Sequence, residues 1–257
     1  MNNHAKKINT LGRFCGPRDI ACLTQSALLE KYGIAKAALL VLFGGSILAG
    51  GDVLAEAMKN QVAETYMIVG GEGHTTASLR ERAGSVIPGL HTEKMAEAEI
   101  FNAYIQHRYG LQADLLETRS TNCGNNITNM LEILDARHIS CENIILIQDS
   151  TMQRRMAATL ENYRPHIRAI HYAVNQPVIV EKEGKPVFCE NVPGMWEMDR
   201  YVSLLLGEIR RLTDDAQGYG PAGKGFIAHV DIPKPVREAF LDLSKVYDVR
   251  QANPLYS

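Results

Sequence analysis

The chain has 257 residues, of which 46% are apolar and 22% charged, with a formal net charge of −2. That length suits one large α/β domain, or one domain with a sizeable appendage. Near-neutrality excludes the basic footprint of a nucleic-acid binder or of a protein held on an anionic membrane; the partner expected from the loops at the strand ends is a small molecule. Oligomeric state is left open.

The five cysteines, Cys15, Cys22, Cys123, Cys141 and Cys189, are odd in number and form no C-x-x-C pair. A disulfide framework or structural zinc site is not expected, no metal is expected, and reduced thiols in a cytoplasm are the simpler reading. The first eight residues are polar and lead into no apolar h-region, so a signal peptide is not expected. The longest apolar run, 37–43, is too short to span a bilayer.

In chain order, 8–36 reads as mainly helical, with 26–32 the clearest piece. A buried strand is predicted at 37–43, followed by Gly44-Gly45-Ser46 and a helix capped by Asp52 that runs to Asn60. A short strand at 66–69 leads into Gly70-Gly71-Glu72-Gly73-His74-Thr75-Thr76 and a short helix near 77–83. Thr92 is expected to N-cap a helix that closes near Gly110. A third strand covers 113–116, then Ser120-Thr121-Asn122-Cys123-Gly124-Asn125-Asn126 opens a helix to about 137. A fourth strand at 144–147 runs into Gln148-Asp149-Ser150-Thr151-Met152-Gln153-Arg154-Arg155 and a helix to 163. A fifth strand is expected at 168–172.

This alternation predicts βαβ units and a parallel sheet with a ligand crevice at the carboxyl ends of its strands. The pattern then changes. Residues 181–185 read as a hairpin tip, 195–212 as an amphipathic helix, 214–225 as a Gly-rich segment, 226–230 as an apolar strand-like piece and 235–245 as the last helix. The expected division is 1–36, an N-terminal helical segment; 37–175, the sheet domain; and 176–257, a C-terminal cap.

Small hydroxyl and amide residues between a strand and a helix form an anion site, because first-turn N–H groups and the helix dipole both favour negative charge. Ser120, Thr121, Asn122 and Asn126 are candidates of this kind, as are Asp149 and Thr151. Gly70, Gly71, Glu72, Gly73 and His74 combine close backbone approach with an acceptor and a titratable group. Gly44, Gly45 and Ser46 either approach a ligand or form a tight strand exit. Arg154 and Arg155 begin a helix, where the dipole disfavours a cation. That conflict predicts a bound anion or a carboxylate partner such as Glu117, Glu97 or Asp149. Cys123 reads as a packing residue, and His229 with Asp231 as structural, since no nucleophile elbow accompanies them. Tyr219, between glycines, offers a ring to stack on a ligand.

The loops at 70–76, 120–124 and 149–155, with 214–221 and 226–231 in the tail, resemble the YdcF-like family, whose wider relatives include the SanA and ElyC envelope proteins. The resemblance runs from Ile8-Asn9 to about Pro233, and the tail segments point to the YdcF branch. It implies a bacterial protein with a Rossmann-like α/β fold, a parallel sheet flanked by helices and a smaller, mainly helical C-terminal domain. It also implies S-adenosylmethionine or another nucleotide-like ligand as the cofactor, without supplying a reaction. Glu117 fits the family's Glu before a Ser/Thr-Asn segment, and Glu97 the Glu of its Glu-Ala pair. Asn125-Asn126 stand where Glu-Asn is usual, which leaves open the acid or base role that the second Glu would carry. SanA and ElyC are membrane-anchored; the sequence reads as lacking that anchor. With His74, Glu117 and Glu97 are the expected catalytic groups. The expected function is an enzyme binding S-adenosylmethionine or a nucleotide. The alternatives are a hydrolase or transferase of a phosphoryl, glycosyl or acyl group, and a non-catalytic ligand-binding or regulatory protein.

Overall fold

The computed structural model describes residues 4–73, 75–191 and 194–251. Helices α1 (His4–Cys15) and α2 (Gln25–Tyr32) come first. The alternating part follows: β1 (Ala37–Phe43), α3 (Ala49–Lys59), β2 (Ala63–Val69), α4 (Thr76–Val86), α5 (Glu97–Tyr109), β3 (Leu115–Glu117), α6 (Cys123–Ala136), β4 (Asn143–Gln148), α7 (Gln153–Tyr163) and β5 (Arg168–Ala173). The tail holds a hairpin, β6 (Ile179–Lys182) and β7 (Lys185–Phe188), then α8 (Met198–Leu212) and α9 (Lys234–Leu243).

Strands β1 to β5 form one parallel sheet in the order β3-β2-β1-β4-β5. This is the expected Rossmann-like α/β architecture. The chain works outward from β1 to β3 and returns to β4, so the direction of winding reverses between β1 and β4, where ligand crevices form in such sheets. The apolar run of β1 follows from burial on both faces. Leu40 and Leu42 pack with Ile68, Ile145 and Ile147 against Leu54 of α3 and Phe101 of α5. Leu39, Val41 and Phe43 pack with Met67 and Leu146 against Ile127 and Met130 of α6 and Met156 of α7.

A third core lies in the tail. Ile8, Leu11 and Phe14 of α1 meet Tyr201, Val202, Leu205 and Ile209 of α8 and Val236 of α9. The N-terminal segment therefore divides: α1 joins the C-terminal helices, whereas Leu28 of α2 joins the sheet. The hairpin tip at Glu183-Gly184 has positive φ at both residues, as a two-residue turn between twisted strands requires. Among the described residues no helix is long and apolar enough to cross a membrane.

Three local expectations are corrected. Helix α5 begins at Glu97, not after Thr92, because the Glu97 and Ala98 amides donate to the carbonyls of Gly71 and Gly70 and fix the start there. Thr92 instead donates to the Arg80 carbonyl. Helix α3 begins at Ala49, and the Asp52 carboxylate accepts from the Tyr104 and Tyr109 hydroxyls at 2.7 and 2.6 Å rather than capping. Residues 226–230 form no strand: the Phe226 and Ile227 amides donate to the Tyr219 carbonyl, and the Ala228 amide to Ala158 of α7.

Candidate functional site

The loops after β1, β2 and β3 lock together through backbone contacts that only glycine allows. The Gly70 amide donates to the Glu117 carbonyl, the Gly71 amide to Ser120 Oγ at 3.0 Å, and the Glu72 amide to the Ser120 carbonyl. A Cβ on Gly71 would run into the Ser120 backbone, and one on Gly44 into the Glu97 carboxylate. Beneath them lies Glu117, 1% exposed. Its Oε1 accepts from the Arg119 and Ser120 amides and from Asn129 Nδ2 at 2.7, 3.0 and 2.9 Å. Glu117 shapes the loop from below and does not line the cleft.

Helix α6 starts from this loop. Asn122 is its N-cap, accepting from the Asn125 amide at 2.9 Å, and Asn125 Oδ1 accepts from Thr121 Oγ1. A cleft of about 410 Å³ opens here, lined on this side by Gly44, Gly71, Gly73, Glu97, Ser120 and the first turn of α6. That turn carries Asn122, Asn126 and Cys123, whose Sγ lies 3.8 Å from Met152 Sδ. Cys123 is therefore a cleft residue as well as a packing one. Buried Glu97 accepts from Thr75 Oγ1 at 3.1 Å and Thr76 Oγ1 at 2.8 Å. Burial pushes its carboxyl above the usual range, against the lowering effect of the two hydroxyls.

The opposite wall comes from α7, α8 and the segment after it. Arg155, at the start of α7, donates from Nε to Glu208 Oε2 at 2.5 Å and from Nη2 to Oε1 at 3.0 Å. Arg211 Nη1 reaches the same carboxylate at 3.3 Å. Burial opposes charge on Glu208, but Arg155 and Arg211 more than offset it and hold the carboxyl below its ordinary value. Arg155 is likewise buried, yet Cys123 and Glu208 beside it raise its pKa. Arg250, Tyr219, Phe226 and Ile227 complete this wall, with Thr159 and Tyr163 of α7 at its end. The Tyr219 and Phe226 rings meet edge to face, 5.4 Å apart, with Lys224 over Tyr219.

The structure thus brings Gly44, Gly71, Gly73, Glu97, Ser120, Thr121, Asn122, Asn126, Arg155 and Tyr219 into one cleft. Other expected site residues lie elsewhere. Arg154 points to α1, donating to the Phe14 carbonyl with its guanidinium 4.2 Å from the ring. Asp149 accepts from the Thr151 amide and hydroxyl at 2.8 and 2.5 Å, and burial raises its carboxyl pKa despite them. This closed turn holds Thr151 out of the cleft. Gly45 stands against Gln148, whose Nε2 donates to the Gly44 carbonyl, and the Ser46 carbonyl accepts from Arg82. Gly70 packs on Glu97, and Glu72 pairs with Arg80 on the surface. His74 lies outside the described residues. Of the two arginines only Arg155 has a carboxylate partner among the described residues, and it is Glu208, not Glu117, Glu97 or Asp149. His229 sits on the surface between Asp214 and Asp231, 2.6 and 3.2 Å away.

Sequence reasoning missed Glu208, Arg211, Phe226 and Tyr163. One signal was available: Glu208 falls four residues from both Leu204 and Leu212, on the apolar stripe of α8, where an acid needs a partner. Among the described residues no group of three or more His, Cys, Asp or Glu is placed to hold a metal ion. No family model matches the chain.

Proposed function

We propose that the chain is an enzyme that binds S-adenosylmethionine or another nucleotide-like ligand in this cleft. One observation carries the reading. A single cavity at the carboxyl ends of a parallel sheet joins a helix N-terminus and glycine loops on one side to guanidiniums and aromatic rings on the other. The first turn of α6 and Arg155 suit the ligand's anionic end, Tyr219 and Phe226 its ring, and Glu97 its reacting end. Bound there, S-adenosylmethionine would supply an electrophilic methyl group, and a nucleotide a phosphoryl group.

Glu97 favours catalysis over passive binding. A buried carboxyl whose pKa burial raises, facing a cleft, is suited to taking and giving a proton. Transfer or hydrolysis of a phosphoryl, glycosyl or acyl group uses the same group and is the second reading. Membership of the YdcF-like family and a cytoplasmic location belong to this proposal.

Calorimetry with S-adenosylmethionine, S-adenosylhomocysteine, AMP and ADP tests it. At least one should bind; binding by none sinks the proposal. Mass spectrometry of the bound ligand and product then separates enzyme from sensor. Glu97→Gln should keep binding and lose turnover, and undiminished turnover removes Glu97 from the chemistry.

A further inference from the structure

We infer that the anion taken by this cleft is a phosphoryl group, held between Arg155 and Arg211 on one wall and the first turn of α6 on the other. The inference rests on the ligand reading above and narrows it to phosphate-bearing nucleotides.

The first support is an inventory of donors. A guanidinium carries five N–H groups in a fixed plane. Arg155 uses Nε and Nη2 on Glu208, with Nη2 also near Met152 Sδ, and its Nη1 makes no hydrogen bond among the described residues. Arg211 uses Nη1 alone, leaving Nε and Nη2. Both side chains are about nine-tenths buried, at 10% and 11% exposure, and both line the cleft. None of these spare nitrogens is among the buried side-chain atoms left without a partner, so they keep solvent access, and both residues line the cleft where an acceptor could meet them.

Charge points the same way. Two guanidiniums share the single carboxylate of Glu208, which leaves one positive charge out of bulk water. The amino end of α6 adds the equivalent of about half a charge across the cleft. Glu97, the other acid of the lining, has its pKa raised by burial, which opposes its negative charge. Arg250 on the same wall is not counted.

Shape decides between the two kinds of anion. A carboxylate has two oxygens in one plane and can fork onto one guanidinium. The donors here come from separate elements that line one cleft, the first turn of α6 and the guanidiniums of α7 and α8. A phosphoryl group has three terminal oxygens in a tetrahedral array and about −1.5 to −2 charges, so it can reach both walls at once. The side chains of Thr121, Asn122 and Asn126 surround the α6 end of that span.

The test uses the full chain and four probes: adenosine, AMP, ADP and S-adenosylmethionine. AMP or ADP should bind at least tenfold tighter than adenosine, with an affinity that falls as salt rises. Arg211→Gln, which leaves the shorter Arg155–Glu208 pair intact, should cost AMP tenfold or more and change adenosine less than twofold. Equal binding of AMP and adenosine overturns the inference without using any variant. Binding of S-adenosylmethionine but not of AMP or ADP also overturns it, while the broader ligand reading stands. Binding of none removes both.

Discussion

The two walls of the cleft are held by different physics. The sheet-side wall is a net of short hydrogen bonds among neighbouring loops: Gly71 to Ser120, Glu117 to Arg119 and Ser120, Asn122 to Asn125. Most of its bonds close within a few residues or between adjacent strand ends. The cap-side wall is ionic and aromatic, and its central bond joins Arg155 to Glu208 across 53 positions of sequence. The first wall is closely packed because glycine lets backbones touch. The second is held to the sheet by a buried ion pair, by the Ala228–Ala158 backbone bond and by the helical core of the tail. A ligand spanning the cleft therefore meets one surface fixed by local geometry and one whose position depends on long-range charge.

The strongest way to break this contrast is Glu208→Ala. It leaves two buried guanidiniums without their carboxylate, and loss of one partner of a buried pair costs about 3–5 kcal/mol. For a chain of this size that is a fall of roughly 6–20 °C in the unfolding midpoint. A shift of only a degree or two in calorimetry would mean that the walls are joined by apolar packing, not charge.

The sheet wall should answer to volume. Gly71→Ala places a methyl group against the Ser120 backbone, with the Thr118 carbonyl 2.8 Å away, and backbone cannot yield as a side chain can. A cost of about 1–3 kcal/mol is expected. Gly73→Ala, two residues on, meets its nearest atom at 3.6 Å, an ordinary contact, and should stay within about 0.5 kcal/mol of the parent. Equal urea midpoints for the two variants would remove the claim that close backbone approach fixes this wall.

The same difference explains what the sequence made legible. The five strands follow from apolar runs that end in glycine or small polar residues, and their parallel order from the helices between them. The sheet-side wall was readable because its residues, apart from Glu97 at the start of α5, follow strand exits, where position in the chain implies position in space. The exceptions were local competitions: Asp149 and Thr151 satisfy one another, and Glu117 turns under its own loop. The cap wall was readable only at Arg155 and Tyr219. Arg154 and Arg155 look alike in sequence, yet neighbours on a helix point about 100° apart, and one meets Glu208 while the other meets Phe14. No local pattern says which.

Acid titration sharpens the contrast further. In the folded chain the Glu208 carboxyl lies below its ordinary value and that of Glu97 above. Glu208 therefore contributes stability above the unfolded value of 4.5, and this is lost as pH falls through its folded pKa. Glu97 has the opposite sign: the folded state binds its proton more tightly, so stability falls as pH rises from 4.5 through the folded pKa. Glu97→Gln should then gain stability relative to the parent at pH 8, and the gain should shrink towards pH 4. A constant difference across that range would show that Glu97 ionises freely in the cleft.

The smallest effect is expected at the rim, where charge acts without burial. His229 bridges Asp214 and Asp231, and Asp214 also accepts from the Ala222 amide at 2.7 Å. This cluster sits at the base of the 214–225 segment that presents Tyr219 to the cleft. Hydrogen bonds to Asp214 and then Asp231 raise the His229 pKa above 6.5, and Asp215 is the further acid acting on Asp214. A raised histidine pKa stabilises the segment fully below 6.5, and the contribution is lost as pH rises through the folded value. The side chain is solvent-exposed, so salt should weaken the effect. Amide exchange across 214–225 should accordingly be slower in the parent than in His229→Gln at pH 6, and the two should converge by pH 9 once intrinsic exchange rates are divided out. Ring-proton titration by NMR gives the pKa directly, and a value at or below 6.5 would detach this cluster from the opening of the cap wall.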